Sequence, residues 1–335
     1  VDLTADVARE RGLTIDMKGF EAEMKNQKDR ARKAGDFDSK KSTVSIDDAT
    51  EFLGYEQFNN SAIISAIIKD NKSVDSLNEG EEAIVVIDKS SFYGESGGQS
   101  GDHGTLSKNV AQFKVTDTQK QASNAFEHHG IQAKGALQVG DAVEASIDQD
   151  RRKKIMNNHS ATHLLHEALR QVLGDQVNQK GSLVESEKLR FDFSHDEVVS
   201  RANLDKVEVI VNEQILGNTQ VITEETDIKT AKKKGAMALF GEKYGDRVRV
   251  LSMGDDNFSV ELCGGTHVQR LGDIGRFKVI SESGIAAGVR RIEAVTGIDA
   301  YQLDKKNEEI LNLIANLTKS NSSQTAEKVK QLISH

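Results

Sequence analysis

Asn158-His159-Ser160-Ala161-Thr162-His163-Leu164-Leu165-His166, running on through Leu169, Val172 and Leu173 to Gly174, is the stretch that organises this chain. His159 and His163 stand four apart, the spacing that puts two side chains on one face of a helix. At about 100° per residue, Leu164, Leu165, Ala168, Leu169, Val172 and Leu173 share a broad arc. His159, His163 and His166 fall on the opposite side, and Gly174 closes the helix. The helix is expected to pack by its leucines and turn its histidines away, with His166 read as part of a polar, solvent-facing stripe. About a hundred residues on, Cys263-Gly264-Gly265-Thr266-His267 places the chain's only thiol and a third imidazole four apart. Three imidazoles and a thiol form a nitrogen and sulfur set suited to zinc. Ser160, Ala161 and Thr162 stand where a zinc protease helix would carry its glutamate base, so that motif is absent. With four tight ligands the site is closed and structural; with one position open it can be hydrolytic. Spacing leaves both open.

Upstream, residues 45 to 148 change texture to short β-rich runs between Gly, Asn, Asp and Ser. Ala62–Ile68, Ala83–Asp88, Gln112–Thr118 and Ala142–Ile147 read as strands of a small barrel or sandwich. Within them, Phe92-Tyr93-Gly94-Glu95-Ser96-Gly97-Gly98-Gln99-Ser100-Gly101 is either a plain glycine turn or a loop whose backbone approaches a ligand. Residues 1–35 read as two helices, with Asp16 as N-cap and a highly charged run from Lys25 to Lys33. Arg151-Arg152-Lys153-Lys154 leads into the histidine helix.

Downstream, Gln179–Val184 and Leu189–Phe193 follow. In the second, Leu189, Phe191 and Phe193 share one face while Arg190 and Asp192 share the other. A helix is expected around 201–217. Residues 228–249 carry seven Lys or Arg (Lys229, Lys232, Lys233, Lys234, Lys243, Arg247, Arg249) against two acids, the best candidate for phosphate contact. Phe258–Leu262 reads as a strand delivering Cys263, and Phe277–Ile280 and Val289–Val295 as strands about a Gly284–Gly288 loop. Helices are expected from Gly297 to about Lys319 and again after Asn321-Ser322-Ser323, with Leu303, Ile310, Leu313, Ile314 and Leu317 in a packed or coiled pair.

The length of 335 residues allows two or three domains, and no apolar run is long enough to span a membrane, so no membrane is expected as a partner. One Cys cannot form an internal disulfide, which fits a reducing cytoplasm. The net charge of −9 argues against sequence-blind nucleic-acid binding but permits a local basic surface. The absent proline has no functional account. A first residue other than Met, and a C-terminus inside a helical pattern, suggest a piece of a longer chain.

Asn158–His166, Arg190-Phe191-Asp192-Phe193, Gly235–Tyr244, Cys263–His267, Glu282-Ser283-Gly284 and Gly288–Ala294 together resemble the editing domain of the alanyl-tRNA synthetase family, bacterial type, and Glu95–Gln99 resembles the loop of the barrel that precedes it. The resemblance implies an α+β chain. Its parts would be a helical tail of the tRNA-recognition region (1–40), a β-barrel (45–150), a two-layer α+β editing core shared with threonyl-tRNA synthetases (151–297), and a helical link (298–335) toward an absent dimerisation domain. The aminoacylation domain, with its ATP chemistry, would lie upstream. The implied reaction is hydrolysis of the ester joining Ser or Gly to tRNA(Ala). The implied zinc ligands are His159, His163, Cys263 and His267. Gln179 falls on an editing-pocket position, Thr162, Gln179 and Asp192 are catalytic candidates, and Arg190, Gly264 and Gly265 are expected to line the substrate. Lys232, Lys233, Lys234, Lys243, Arg290 and Arg291 are expected to meet tRNA. A free-standing editing protein, or a zinc-stabilised tRNA-binding module without activity, are the alternatives.

Overall fold

A computed structural model describes residues 12, 16, 19, 20, 23, 49–233, 235–237, 245 and 247–334. Most of the expected helical lead, along with Lys234, Lys243 and most of Gly235–Tyr244, lies outside the described residues. Within it, Asp16 Oδ1 accepts from the Gly19 amide at 2.9 Å, the contact expected of an N-cap. Residues 1–45 and 46–335 form two compact units.

Six strands make the barrel of the second unit: β1 (Asn59–Lys69), β2 (Glu82–Ile87), β3 (Gly104–Lys108), β4 (Ala111–Lys120), β5 (Phe126–Lys134) and β6 (Ala142–Ile147). Every pairing is antiparallel, in the order β6-β3-β4-β5-β2-β1, and β1 pairs back onto β6 to close it. Closure removes the unpaired edges that an open sheet would expose. The β1 sequence alternates buried Ala62 and Ile64 with exposed neighbours, then changes phase to bury Ile67 and Ile68. A register shift between Ile64 and Ala66 causes the change, because one extra residue flips the side chains beyond it. The interior is filled by Ile64, Ile67, Val85, Ile87, Leu106, Phe113 and Val143.

The chain leaves the barrel directly into α1 (Gln149–Leu173). Asp148 caps it by accepting from the Arg151 amide, and Gly174 ends it. Arg152, on the first turn, is fully buried: it ion-pairs with Asp102 and donates to the carbonyls of Gly54 (2.8 Å) and Ser91 (2.9 Å), tying helix to barrel.

The next elements are β7 (Gln179–Val184), β8 (Leu189–Ser194), α2 (Arg201–Gly217), β9 (Ile222–Asp227), the short α3 (Ile228–Lys233), β10 (Arg247–Met253) and β11 (Ser259–Leu262). β12 (Phe277–Ala286), β13 (Val289–Thr296), α4 (Gly297–Leu317) and α5 (Thr325–Ile333) complete the described order. An antiparallel sheet in the order β7-β8-β13-β12 takes α1 and α2 on its apolar face. Leu164, Leu165 and Leu169 of α1 and Val207 and Val211 of α2 meet Phe191, Phe193, Phe277 and Ile292 there. Burying each large side chain contributes about 1.5–3 kcal/mol. A second antiparallel sheet, β9-β10-β11, adds Leu251 and Met253 to the same core and carries the strand that ends at Cys263.

Three expectations change. His166 is buried, as are His159 and His163, because β11 and the barrel cover the helix face that the leucines leave. The expected Gly284–Gly288 loop is mostly strand, since β12 runs to Ala286 and turns at Gly288, where φ is +69°. The apolar stripe of α4 is exposed at Ile310, Leu313, Ile314 and Leu317 rather than packed, although α4 and α5 touch.

Candidate metal centre

His159 and His163 lie one turn apart on α1, and β11 delivers Cys263 beside them. The glycine turn then reverses the chain so that His267 comes back to the thiol. One ligand atom from each of these four residues lies within 4.8 Å of every other. Cys263 Sγ stands 3.5 Å from His159 Nε2 and 3.3 Å from His267 Nε2. Zinc bonds of 2.0–2.3 Å in a tetrahedron would set ligand atoms about 3.5 Å apart, so the spacing fits. Among the described residues His163 Nε2 is buried without a hydrogen-bond partner, which a metal could supply.

The outer nitrogen of each imidazole is held. His159 Nδ1 donates to Gln99 Oε1 at 2.8 Å, because an amide oxygen can only accept. His163 Nδ1 donates to Glu261 Oε2 at 2.8 Å, and His267 Nδ1 meets Ser160 Oγ at 3.2 Å. For His159 and His163 these partners fix the tautomer and leave Nε2 for a metal. Gln99 comes from the barrel. Its Oε1 also accepts from the Thr266 amide at 2.9 Å and its Nε2 donates to Thr266 Oγ1 at 2.9 Å, so it braces the metal turn as well. The loop behind it docks on β7: Val184 N donates to Gly98 O at 2.7 Å and Ser100 N to Val184 O at 3.0 Å. A side chain at Gly98, where φ is +83°, would strike Ser182 O. One at Gly265 would strike the His159 ring.

Burial pushes the Cys263 thiol up, but His159, His267 and His163 outweigh it and hold the thiol well below its ordinary value. Burial pushes His163 down, yet the Glu261 carboxylate and Cys263 reverse this and raise it to about 10. Glu261, against its own burial, is lowered to about 2 by His163 and His166. The Glu261 carboxylate and the Cys263 sulfur thus favour positive charge between them, a role that a dication could take over. The donor set fits zinc.

The remaining expected residues take other places. Thr162 Oγ1 donates to Asn158 O of its own helix at 2.8 Å. Gln179 opens β7 opposite Phe193. Asp192 accepts two hydrogen bonds from Arg291 at 2.6 and 2.8 Å, and Arg190 Nε lies 3.7 Å from it. Arg290 is paired twice with Glu282 at 2.6 and 2.8 Å. Lys232 and Lys233 are exposed on α3, and Gly264 is exposed on the metal turn. A cavity of about 370 Å³ lined by Gln176, Ser194, His195, Asp196, Glu197 and Gly288 includes none of the four. Sequence reasoning flagged the loop of Gln99 without giving it a partner, and it missed Glu261 and Ser160 as orienting residues. The sequence signals for Gln99 are the pair of glycines before it and the resemblance of Glu95–Gln99 to the family's barrel loop.

Residues 1–151 match the class II (A) tRNA synthetases, and residues 248–293, which include β11 and the Cys263–His267 turn, match the second additional domain of threonyl and alanyl tRNA synthetases. These matches make the chain similar, in two separate stretches, to tRNA synthetases that carry that additional domain. Alanine–tRNA ligases of Ruthia magnifica subsp. Calyptogena magnifica and Vesicomyosocius okutanii subsp. Calyptogena okutanii are each 60% identical to it over 333 residues. The enzyme of Pseudomonas entomophila is 55% identical over 334 residues. The chain is thus similar to part of these alanine–tRNA ligases: each match covers 99% of it, while it spans 38% of the length of those relatives.

Proposed function

We propose that this part of the protein hydrolyses the ester joining Ser or Gly to the 3′ end of tRNA(Ala), at a centre where His159, His163, Cys263 and His267 hold zinc. The observation that carries the reading is the convergence of three imidazoles on one cysteine sulfur, with Cys263 and His267 inside the additional-domain match. The need for such a site is physical. A pocket built for alanine's methyl discriminates against one fewer carbon or one added hydroxyl by only about 1–3 kcal/mol, so a second site must remove the errors.

When bound, zinc would polarise a carbonyl or lower the pKa of a bound water to about 7. The chain's own residues do the rest. Gln99, Glu261 and Ser160 orient the imidazoles, and Gly264 leaves an open edge for the aminoacyl end, since no described residue lies within 4 Å of where its side chain would be. Lys232 and Lys233 are the described, exposed cations for the tRNA backbone, while Arg290 and Arg291 would have to leave Glu282 and Asp192 to take part. Aminoacylation with ATP would belong to the remainder of the longer ligase, in the cytoplasm, where Cys263 stays reduced.

The test is deacylation of tRNA(Ala) charged with serine, glycine or alanine, with and without a chelator. Serine and glycine esters should be cleaved, the alanine ester spared, and the chelator should abolish cleavage. Equal hydrolysis of all three would overturn the reading. The burial of all four candidate ligands favours a second reading, a zinc-stabilised tRNA-binding module. Tight tRNA binding with no turnover would decide for it. The match along nearly the whole chain to long ligases supports this setting over a free-standing editing protein.

A further inference from the structure

The three successive carbonyls of the metal turn are each captured by a side chain from outside it. Tyr55 Oη, from the segment before the barrel, donates to Gly264 O at 2.7 Å. Arg249 Nη1, from β10, donates to Cys263 O at 3.1 Å and to Gly265 O at 2.9 Å. The two side chains brace each other, with the Arg249 guanidinium 4.3 Å from the centre of the Tyr55 ring. Behind them, Arg249 Nη2 donates to Thr223 Oγ1 at 3.3 Å, and the Phe52 ring meets Tyr55 edge-on at 4.9 Å.

With its carbonyls held on one side, the turn presents its amides to the other. Gly265 N donates to Cys263 Sγ at 3.4 Å and Thr266 N to Gln99 Oε1 at 2.9 Å. Glycine has more backbone freedom to lose than any other residue, so a turn with two in succession needs contacts from outside to hold it. Gly264 offers no side chain for the purpose, and its outer side is open space.

We infer that Tyr55 and Arg249 are positioning residues of the metal centre: by holding the Cys263, Gly264 and Gly265 carbonyls they fix where the Cys263 sulfur points. Arg249, which composition assigned to phosphate contact, thus acts on the metal turn. The inference rests on the reading that the four-residue cluster binds a metal.

The experiment loads the full 335-residue chain with Co²⁺, which reports its ligand field and its thiolate bond by absorption. Arg249→Lys keeps the charge and loses the planar fork; Tyr55→Phe keeps the ring and loses the hydroxyl. Arg249→Lys should weaken Co²⁺ binding about 10-fold or more in chelator competition and shift the ligand-field bands. Tyr55→Phe, which loses one neutral hydrogen bond, should weaken it about 3- to 10-fold. Wild-type affinity and an unchanged spectrum in both variants would overturn the inference, whatever happens to the melting temperature of the metal-free proteins. Should Arg249→Lys not fold, Tyr55→Phe at its half-exposed position decides alone. If the wild-type chain takes up no Co²⁺, the metal reading itself fails; if it binds and both variants match it, only the positioning role fails.

Discussion

His128 in the barrel and His163 in the metal cluster are both fully enclosed imidazoles, yet they are driven in opposite directions. His128 Nδ1 lies 3.0 Å from the Val85 carbonyl and its Nε2 lies 2.8 Å from Ser90 Oγ. With neutral partners, burial lowers it to about 4. His163 faces the Glu261 carboxylate and the Cys263 sulfur, and these raise it to about 10 against the same burial. Depth alone makes a histidine neutral, whereas buried anions make it a cation or a ligand. The second nitrogen completes the contrast. Both nitrogens of His128 are hydrogen-bonded, while His163 Nε2 is turned toward the Cys263 sulfur and has no N or O partner among the described residues.

The contrast breaks first at the thiol. Cys263→Ala should remove stoichiometric zinc and deacylation of serine-charged tRNA together; zinc analysis alongside single-turnover assays checks this, and full activity without bound zinc would refute it. A smaller effect is expected in the barrel. The native His128 stays neutral down to about pH 4, while the unfolded chain takes up a proton near 6.5. Between those values the unfolded state holds more protons, so this contribution is complete above pH 6.5 and is lost as pH falls toward 4. It amounts to about 3 kcal/mol. Urea unfolding across that window should show a shallower acid loss in His128→Gln, and an unchanged slope would place the titration elsewhere. The smallest effect should come from Gln99→Leu, which leaves His159 Nδ1 without its acceptor. Zinc affinity should fall about 10-fold, as for other partners of metal-bound histidines, while the barrel keeps its melting temperature.

The four candidate ligands were legible because each pair sits four residues apart, and a helix or a tight turn converts that spacing into proximity. The barrel was half legible. Strands with runs such as Ala62–Ile68 were expected, but β3 and β5 were not. In β5, Phe126-Glu127-His128-His129 buries Glu127 and His128 through side-chain hydrogen bonds, so polarity no longer marks the outside. The orienting residues were illegible for another reason. Gln99 lies 60 residues from His159, Glu261 lies 98 from His163, and Tyr55 lies 209 from Gly264. No local period encodes contacts that only the closed fold creates. His166 was read as solvent-facing because the arc of leucines was taken to be the helix's only covered side.

The Gln99 contact bears on how this architecture can be inherited. A gene fragment encoding only the residues from α1 onward would carry all four candidate ligands and still lack the group that chooses the His159 tautomer. It would also leave Arg152 with no Asp102 to neutralise it. Moving the centre to a new host chain without the barrel would leave His159 and Arg152 in need of new partners, so the site's working parts extend beyond the list of its ligands.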